Sequence, residues 1–258
     1  NPTIKAVPVK EDSMDTKIPV WKELEKHMRI KDVERMNRKI NLKTIQPLEW
    51  IELEQDLTKV NQLLEVIKKA NVLKNFLEEK ENADLVQDLA TTQAYYKKVL
   101  DLDQAAKYTL AGVEDNFFKP KFDDELDNIG FKIKHYEQFF KTMTRSLSNM
   151  ITPGTDYVAL KRGEGGFYLT VTKTRFAQLK AKFKDPISFM IDTTNYTIDP
   201  TELVETPVSK KSSNLNVQNA TLTKMSLELG VLHEELRLRV IEKYYGFLED
   251  FSRQFGTV

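Results

Sequence analysis

The sequence predicts a mainly α fold: a helical core from which two long antiparallel helices reach out, with a small antiparallel β-sheet at their far end. Three observations predict it. Two apolar runs of matched length fall near residues 122–150 and 222–251, each with a coiled-coil or helical period. Between them lies a stretch rich in aromatic and β-branched residues. The 258 residues include only 9 glycines against 30% charged residues, which favours helices with solvated faces over an all-β fold.

Residues 1–19, NPTIKAVPVKEDSMDTKIP, are polar and lack a hydrophobic period, so they read as a flexible lead-in rather than a signal peptide. Residues 20–120 read as a helical core. WKELEKHMRIKDVERMNRKI (21–40), PLEWIELEQDLTKVNQLLEVIKKA (47–70), NVLKNFLEE (71–79) and ADLVQDLATTQAYYKKVLDL (83–102) all carry helical periods. Pro47 suits a first helical turn.

Residues 121–150 form the first long helix. Phe122, Leu126, Ile129, Ile133, Tyr136, Phe140, Met143, Leu147 and Met150 follow steps that alternate between four and three. Asp123 and Asp124 place negative charge where the helix dipole favours it, and Pro153-Gly154 ends the run. Residues 216–258 form the second, on Leu222, Met225, Leu229, Leu232, Leu236, Val240, Tyr244, Phe247 and Phe251. Each run would be roughly 45 Å long at the helical rise. Each has one apolar stripe that needs a partner. The period alone fits an ordinary bundle equally well; the matched lengths and the insert favour an antiparallel hairpin.

The insert, residues 151–215, is β-rich. DYVALK (156–161), GFYLTVT (166–172), ISFMI (187–191) and ELVETPV (202–208) read as strands, RGEGG (162–166) as a turn and TRFAQLKAKF (174–183) as a short helix. Such a unit is too small to stand alone but suits a cap on a rigid stalk.

Composition excludes several function classes. Lys plus Arg is 39 and Asp plus Glu is 39, so bulk attraction to nucleic acid or an anionic membrane is not indicated. No apolar run reaches the length of a membrane span. The lack of cysteine excludes disulfides, thiolate metal sites and cysteine nucleophiles, and fits an intracellular protein. His27, His135 and His233 each stand alone on a helical segment; His233-Glu234-Glu235 has no second histidine four residues on to complete a zinc motif. DDELD (123–127) reads as helix-start charge rather than a calcium loop. GEGG (163–166) lacks the lysine and context of a phosphate loop, and no GxSxG elbow is present. The N-x-[ST] triplets at Asn195 and Asn219 read as chance. No constellation for catalysis, metal or cofactor emerges.

What remains is local charge. Over residues 161–184, Lys161, Arg162, Lys173, Arg175, Lys180, Lys182 and Lys184 stand against Glu164 alone; Lys210, Lys211 and Asn214 follow the last strand. Lysines with nearby amides and hydroxyls suit phosphate contacts that position a duplex without reading its bases. They equally suit an edge that resists strand-to-strand aggregation.

These residues also carry a resemblance. YVALKRGEGGFYLTVTK (157–173) resembles the clamp segment of the MutS family of DNA mismatch-repair proteins, G-[FY]-Y-[IL]-x-V-[TS]-[KR], through Gly166, Phe167, Tyr168, Leu169, Val171, Thr172 and Lys173. FKPKFDDELDNI (118–129) is similar to the family's opening of the lever helix, G-[YF]-D-x-E-L-D-x-[LI], with Phe122, Asp123, Glu125, Leu126 and Asp127 matching and Lys121 where glycine is usual. IKDVERMNRKINLKTIQPLEWIELEQDL (30–57) looks like the family's core block on Asp32, Glu34, Arg35, Lys39, Ile40 and Pro47. KKSSNLNVQNATL (210–222) resembles the return into the lever without its usual Lys-Asn and aromatic.

The resemblance implies a core, a two-helix lever and a β clamp that grips the backbone of double-stranded DNA nonspecifically. It implies a homo- or hetero-dimer of the full-length protein and no membrane partner. ATP and Mg²⁺ belong to an ATPase portion that is not in this sequence, so the chain itself is expected to be no enzyme and to hold no cofactor. Pro153-Gly154 and residues near 214–221 would serve as hinges. The alternative is a protein-binding helical hairpin with no nucleic-acid role; a weaker one is an enzyme whose site is assembled from scattered residues.

Overall fold

The computed structural model describes residues 20–69, 80–163, 166–209 and 212–255. They form a mostly helical protein with a small antiparallel sheet. The lead-in over 1–19 and the helix read at 71–79 lie outside the described residues.

The first part is built from α1 (Val20–His27), α2 (Val33–Asn41), α3 (Glu49–Lys69), α4 (Lys80–Val99) and the short α5 (Leu102–Ala105). The sequence reading of one helix over 21–40 is corrected to two. Asp32 ends the break: its carboxylate accepts from the Arg35 amide at 2.8 Å and caps α2. Trp50 on α3 is the centre of the core and fully buried. Its ring lies 5.2 Å from Tyr96, 5.4 Å from Phe247 and 5.2 Å from Phe251. Its indole N–H donates to Tyr244 Oη at 2.8 Å, and that hydroxyl donates to the Ile45 carbonyl at 3.1 Å. Burial pushes the Tyr244 phenol far up, so it stays a neutral donor.

Two long helices follow, α6 (Asp124–Ile151) and, after the insert, α8 (Ala220–Phe255). They run antiparallel: Asp123 meets Lys243 and Glu125 meets Arg239, each at 2.5 Å, while Tyr136 donates to Glu228 and His233 lies 3.9 Å from Glu137. Residue numbers fall on α8 as they rise on α6. Their facing stripes follow the predicted ones, with Leu126, Ile129, Ile133, Phe140, Met143 and Leu147 against Leu222, Leu229, Leu236 and Val240, but Phe122, read as the first stripe residue, lies before α6, exposed and stacked on Phe118. Asp123 caps α6 by accepting from the Glu125 and Leu126 amides at 3.1 and 3.0 Å. Within DDELD, Asp123 is therefore taken up by capping, and Asp123 and Glu125 by ion pairs across to α8. Lys121, where the resembled motif carries glycine, has φ 69 and donates its amide to Asp127 at 2.7 Å, which shows why glycine suits that position.

Among its described residues the insert holds six strands rather than the four read from sequence: β1 (Ala159–Gly163), β2 (Gly166–Thr172), β3 (Ile187–Ile191), β4 (Thr194–Ile198), β5 (Val204–Pro207) and β6 (Asn214–Gln218), with α7 (Lys173–Lys180) after β2. One sheet has the order β1-β2-β6-β5 and a separate hairpin pairs β3 with β4. Residues 216–218, assigned above to the second long helix, belong to β6. The helix begins only after Asn219, whose side chain accepts from the Leu222 amide at 2.8 Å.

The insert lies alongside the two helices. β2 packs on α8, and the β3–β4 hairpin packs on α6 through Phe189 and Tyr196, whose rings lie 5.4 and 4.9 Å from Phe139. The reversal after α6 is tied down. Asn149 accepts from the Gly154 amide at 3.2 Å, and buried Ser148 Oγ accepts from Tyr157 and Val158 at 3.1 and 3.0 Å. No helix among the described residues is long and apolar enough to cross a membrane.

Candidate nucleic-acid interface

The strand that opens with Gly166 is held against α8 at very short range. Gly166 has φ 106, a conformation that L side chains rarely adopt. A Cβ added there would sit 3.1 Å from Ser226 Oγ and 3.3 Å from the Ser226 carbonyl oxygen. Ser226 Oγ in turn donates to the Phe167 carbonyl. The Phe167 ring lies 5.5 Å from His233 and carries the Arg162 guanidinium 5.8 Å from its centre. Glycine at 166 thus lets a strand touch a helix.

His233 is mostly buried in this contact, with neither ring nitrogen hydrogen-bonded. Burial lowers its pKa from the ordinary 6.5, with the Arg162 charge adding to the effect and the Glu137 charge opposing it. The folded state therefore binds fewer protons than the unfolded chain between the two pKa values. Stability from this site is complete above pH 6.5 and is lost as pH falls below it. Thermal unfolding of the native chain should show a melting temperature that declines as pH falls below 6.5. A His233→Gln variant should flatten that decline; an unchanged slope would remove His233 as its source.

Strand register decides which side chains share a face. Leu169 pairs with Leu160 and Val217, and Val171 with Leu215, so these apolar residues face the helices. The other face is set by the pairs Lys161–Tyr168, Thr170–Asn216 and Thr172–Asn214. It is a polar surface of hydroxyls and amides with one lysine. Thr170 and Asn216 sit at its centre, and Asn216 Oδ1 is buried without a hydrogen-bond partner.

The basic residues do not form one patch. Lys161 and Arg162 lie on β1 opposite Tyr168 and Phe167, at the glycine end of β2. Lys173 is at the other end, five residues from Tyr168, or about 16 Å along a strand. Arg175 is packed on Tyr157, 4.1 Å from the ring centre, and bonds Gln178 at 2.9 Å. Lys180 is paired to Glu205 at 3.1 Å, and Lys182 donates to the Ile151 carbonyl at the end of α6 at 2.9 Å. Lys161, Lys173 and Lys184 are exposed, and no side-chain partner is found for them among the described residues. Lys173 donates its amide to the Ser213 carbonyl at 2.9 Å, which places Asn214 beside it. Lys210 and Lys211 lie outside the described residues. The basic residues read from sequence leave out Thr170, Asn216 and Gln218, which the two-residue alternation in GFYLTVT and NLNVQ puts on the polar face.

Two other features stand apart from this surface. His135 bridges Asp192 at 2.8 Å and Tyr196 Oη at 2.7 Å, which pins the β3–β4 hairpin to α6. The neighbouring Tyr136 phenol is pushed up to about 12, first by its bond to the Glu228 carboxylate and then by burial. An open cleft of about 510 Å³ lies between α7 and β5–β6, floored by Phe176, Pro207 and Leu215. No three of His, Asp and Glu gather in a metal-binding cluster among the described residues.

Comparison with known proteins adds a distant likeness. No protein-family model matches the chain. A protein of Acanthamoeba polyphaga mimivirus, named as a homolog of the DNA mismatch repair protein mutS, is 23% identical over 170 residues. The matched region is 62% of this chain but only 15% of the mimivirus protein. It points to a MutS-like relationship without specifying a branch.

Proposed function

We propose that this chain is the core, lever and clamp portion of a MutS-like mismatch-repair protein, and that the insert grips the backbone of duplex DNA without reading its bases. The observation that carries this reading is the set of exposed, unpaired lysines, Lys161, Lys173 and Lys184, on the insert that joins the two long helices. Asn214 beside Lys173, and the exposed Thr172 paired with it, supply the neutral donors that phosphate contacts also use. The distant mutS likeness supports the same reading.

In the mechanism that follows, α6 and α8 act as the lever. The insert holds the duplex through point charges, and each lysine that meets a phosphate releases a counterion. Arg175, Lys180 and Lys182 shape the insert itself through Tyr157, Glu205 and the end of α6, and contribute less to DNA. The parent protein would act as a dimer inside the cell, with ATP and Mg²⁺ used by its other parts and no reaction catalysed by this chain.

Fluorescence anisotropy on a random duplex at several salt concentrations tests the proposal. Native chain should bind at low salt, with affinity falling by roughly 0.9 log unit per phosphate contact per log unit of salt. A Lys161→Glu/Lys173→Glu/Lys184→Glu variant should bind on the order of 100-fold more weakly and with a shallower salt slope. Lys180→Glu alone should change little. A triple variant that binds with native affinity and slope, or a native chain that does not bind at low salt, would overturn the reading.

A further inference from the structure

The helix α8 is apolar on two sides. One side is the core stripe already described. The opposite side carries Leu227, Val231, Leu238 and Tyr245, exposed to 54%, 65%, 56% and 40%, with partly buried Ile241 among them. The positions 227, 231, 234, 238, 241 and 245 step alternately by four and three, the spacing of a coiled-coil seam. Single exposed leucines are ordinary on a protein surface. A seam-spaced row about 27 Å long on one helix is not. Only Glu234 interrupts it, and that carboxylate is folded onto Arg237 at 2.9 and 2.5 Å.

Charge beside the seam identifies what fits it. Glu228, Glu235, Glu242 and Glu249 recur every seven residues along one flank. In a coiled coil this flank faces the charged flank of the partner helix. Glu235 has no partner among the described residues, and Glu242 and Glu249 remain 66% and 68% exposed. The cations near the row are Lys224, Arg239 and Lys43, and Arg239 is shared with Glu125. A second copy of α8 does not suit the seam. Antiparallel, it would set glutamate row against glutamate row; parallel, it would bring Glu234 against Glu234.

We propose that the outer face of α8 is a docking seam for an amphipathic α-helix that carries a leucine-type stripe flanked by a row of lysines or arginines.

A labelled synthetic helix of about four heptads, with leucine at both seam positions and lysine on both flanks, is the probe. Its counterparts carry glutamate for lysine, or the same lysine-rich composition in scrambled order. Native chain should bind the lysine helix at least about tenfold more tightly than either counterpart. Val231→Glu/Leu238→Glu should abolish that binding, and Glu235→Lys/Glu242→Lys/Glu249→Lys should shift the preference to the glutamate helix. All substituted residues are on the outer side of α8, so circular dichroism should remain native. Equal binding of the scrambled peptide, or undiminished binding to the seam variant, would overturn the proposal. So would sedimentation showing that the native chain is a dimer that Leu238→Glu dissociates, since the seam would then be filled by a second copy.

Discussion

Trp50→Ala should destabilise the chain by about 3–5 kcal/mol, the range for removing a large aromatic from a closed core. The indole is fully buried and touches the rings of Tyr96, Phe247 and Phe251. Its N–H also anchors Tyr244 Oη. Alanine would therefore open a cavity at the junction of α3, α4 and α8 and remove a buried donor at once. Trp50→Phe keeps most of the ring contacts and should lose clearly less. Equilibrium urea unfolding of the two variants measures both. A loss of less than about 1 kcal/mol for alanine would mean that the three helices are held together elsewhere.

The second large effect is expected at Gly166. Gly166→Ala meets two obstacles: a φ of 106 and the Ser226 backbone and hydroxyl at 3.3 and 3.1 Å. Strain at such a dihedral is of order 1–3 kcal/mol, and the close approach adds to it. The loss should centre on the sheet, because the β1–β2 end is what rests on α8. Adding Ser226→Ala removes the nearest side-chain atom but leaves the dihedral and the carbonyl oxygen. That double variant should recover less than half of the lost stability. Full recovery would assign the role of Gly166 to the hydroxyl contact alone.

The long helices were the most legible part of the sequence, because an apolar stripe repeated over eight turns fits little besides a helix. Asp123 and Asn219 mark the starts of α6 and α8 in residue types that cap helices. The strands were less legible. NLNVQ has only two apolar residues, Leu215 and Val217, and its three polar ones look like a loop until their alternation is set beside GFYLTVT. TNYTI was hidden for the same reason, with Tyr196 and Ile198 as its inward residues. The break before Asp32 fell between two runs that share a helical period.

Charge was legible as composition but not as geometry. Seven basic residues within a short stretch suggested one patch, yet the strand carries Lys161 and Lys173 to opposite ends and contacts divert others. Glu205 claims Lys180, Tyr157 claims Arg175, and the α6 terminus claims Lys182. Contacts across 57 to 61 residues, such as Asp192–His135–Tyr196, have no local signature at all.

One element, α8, joins regions that the chain otherwise keeps far apart. Its first turns hold the sheet at Ser226 and His233, and its last turns lie in the aromatic cluster around Trp50. At 36 residues it is about 54 Å long. A tilt of about 5° about its buried end would carry the other end roughly 5 Å, a whole strand spacing. Small repacking among Trp50, Phe247 and Phe251 would thus be magnified at the sheet, and a push on the sheet would reach the core as a small rotation under high force.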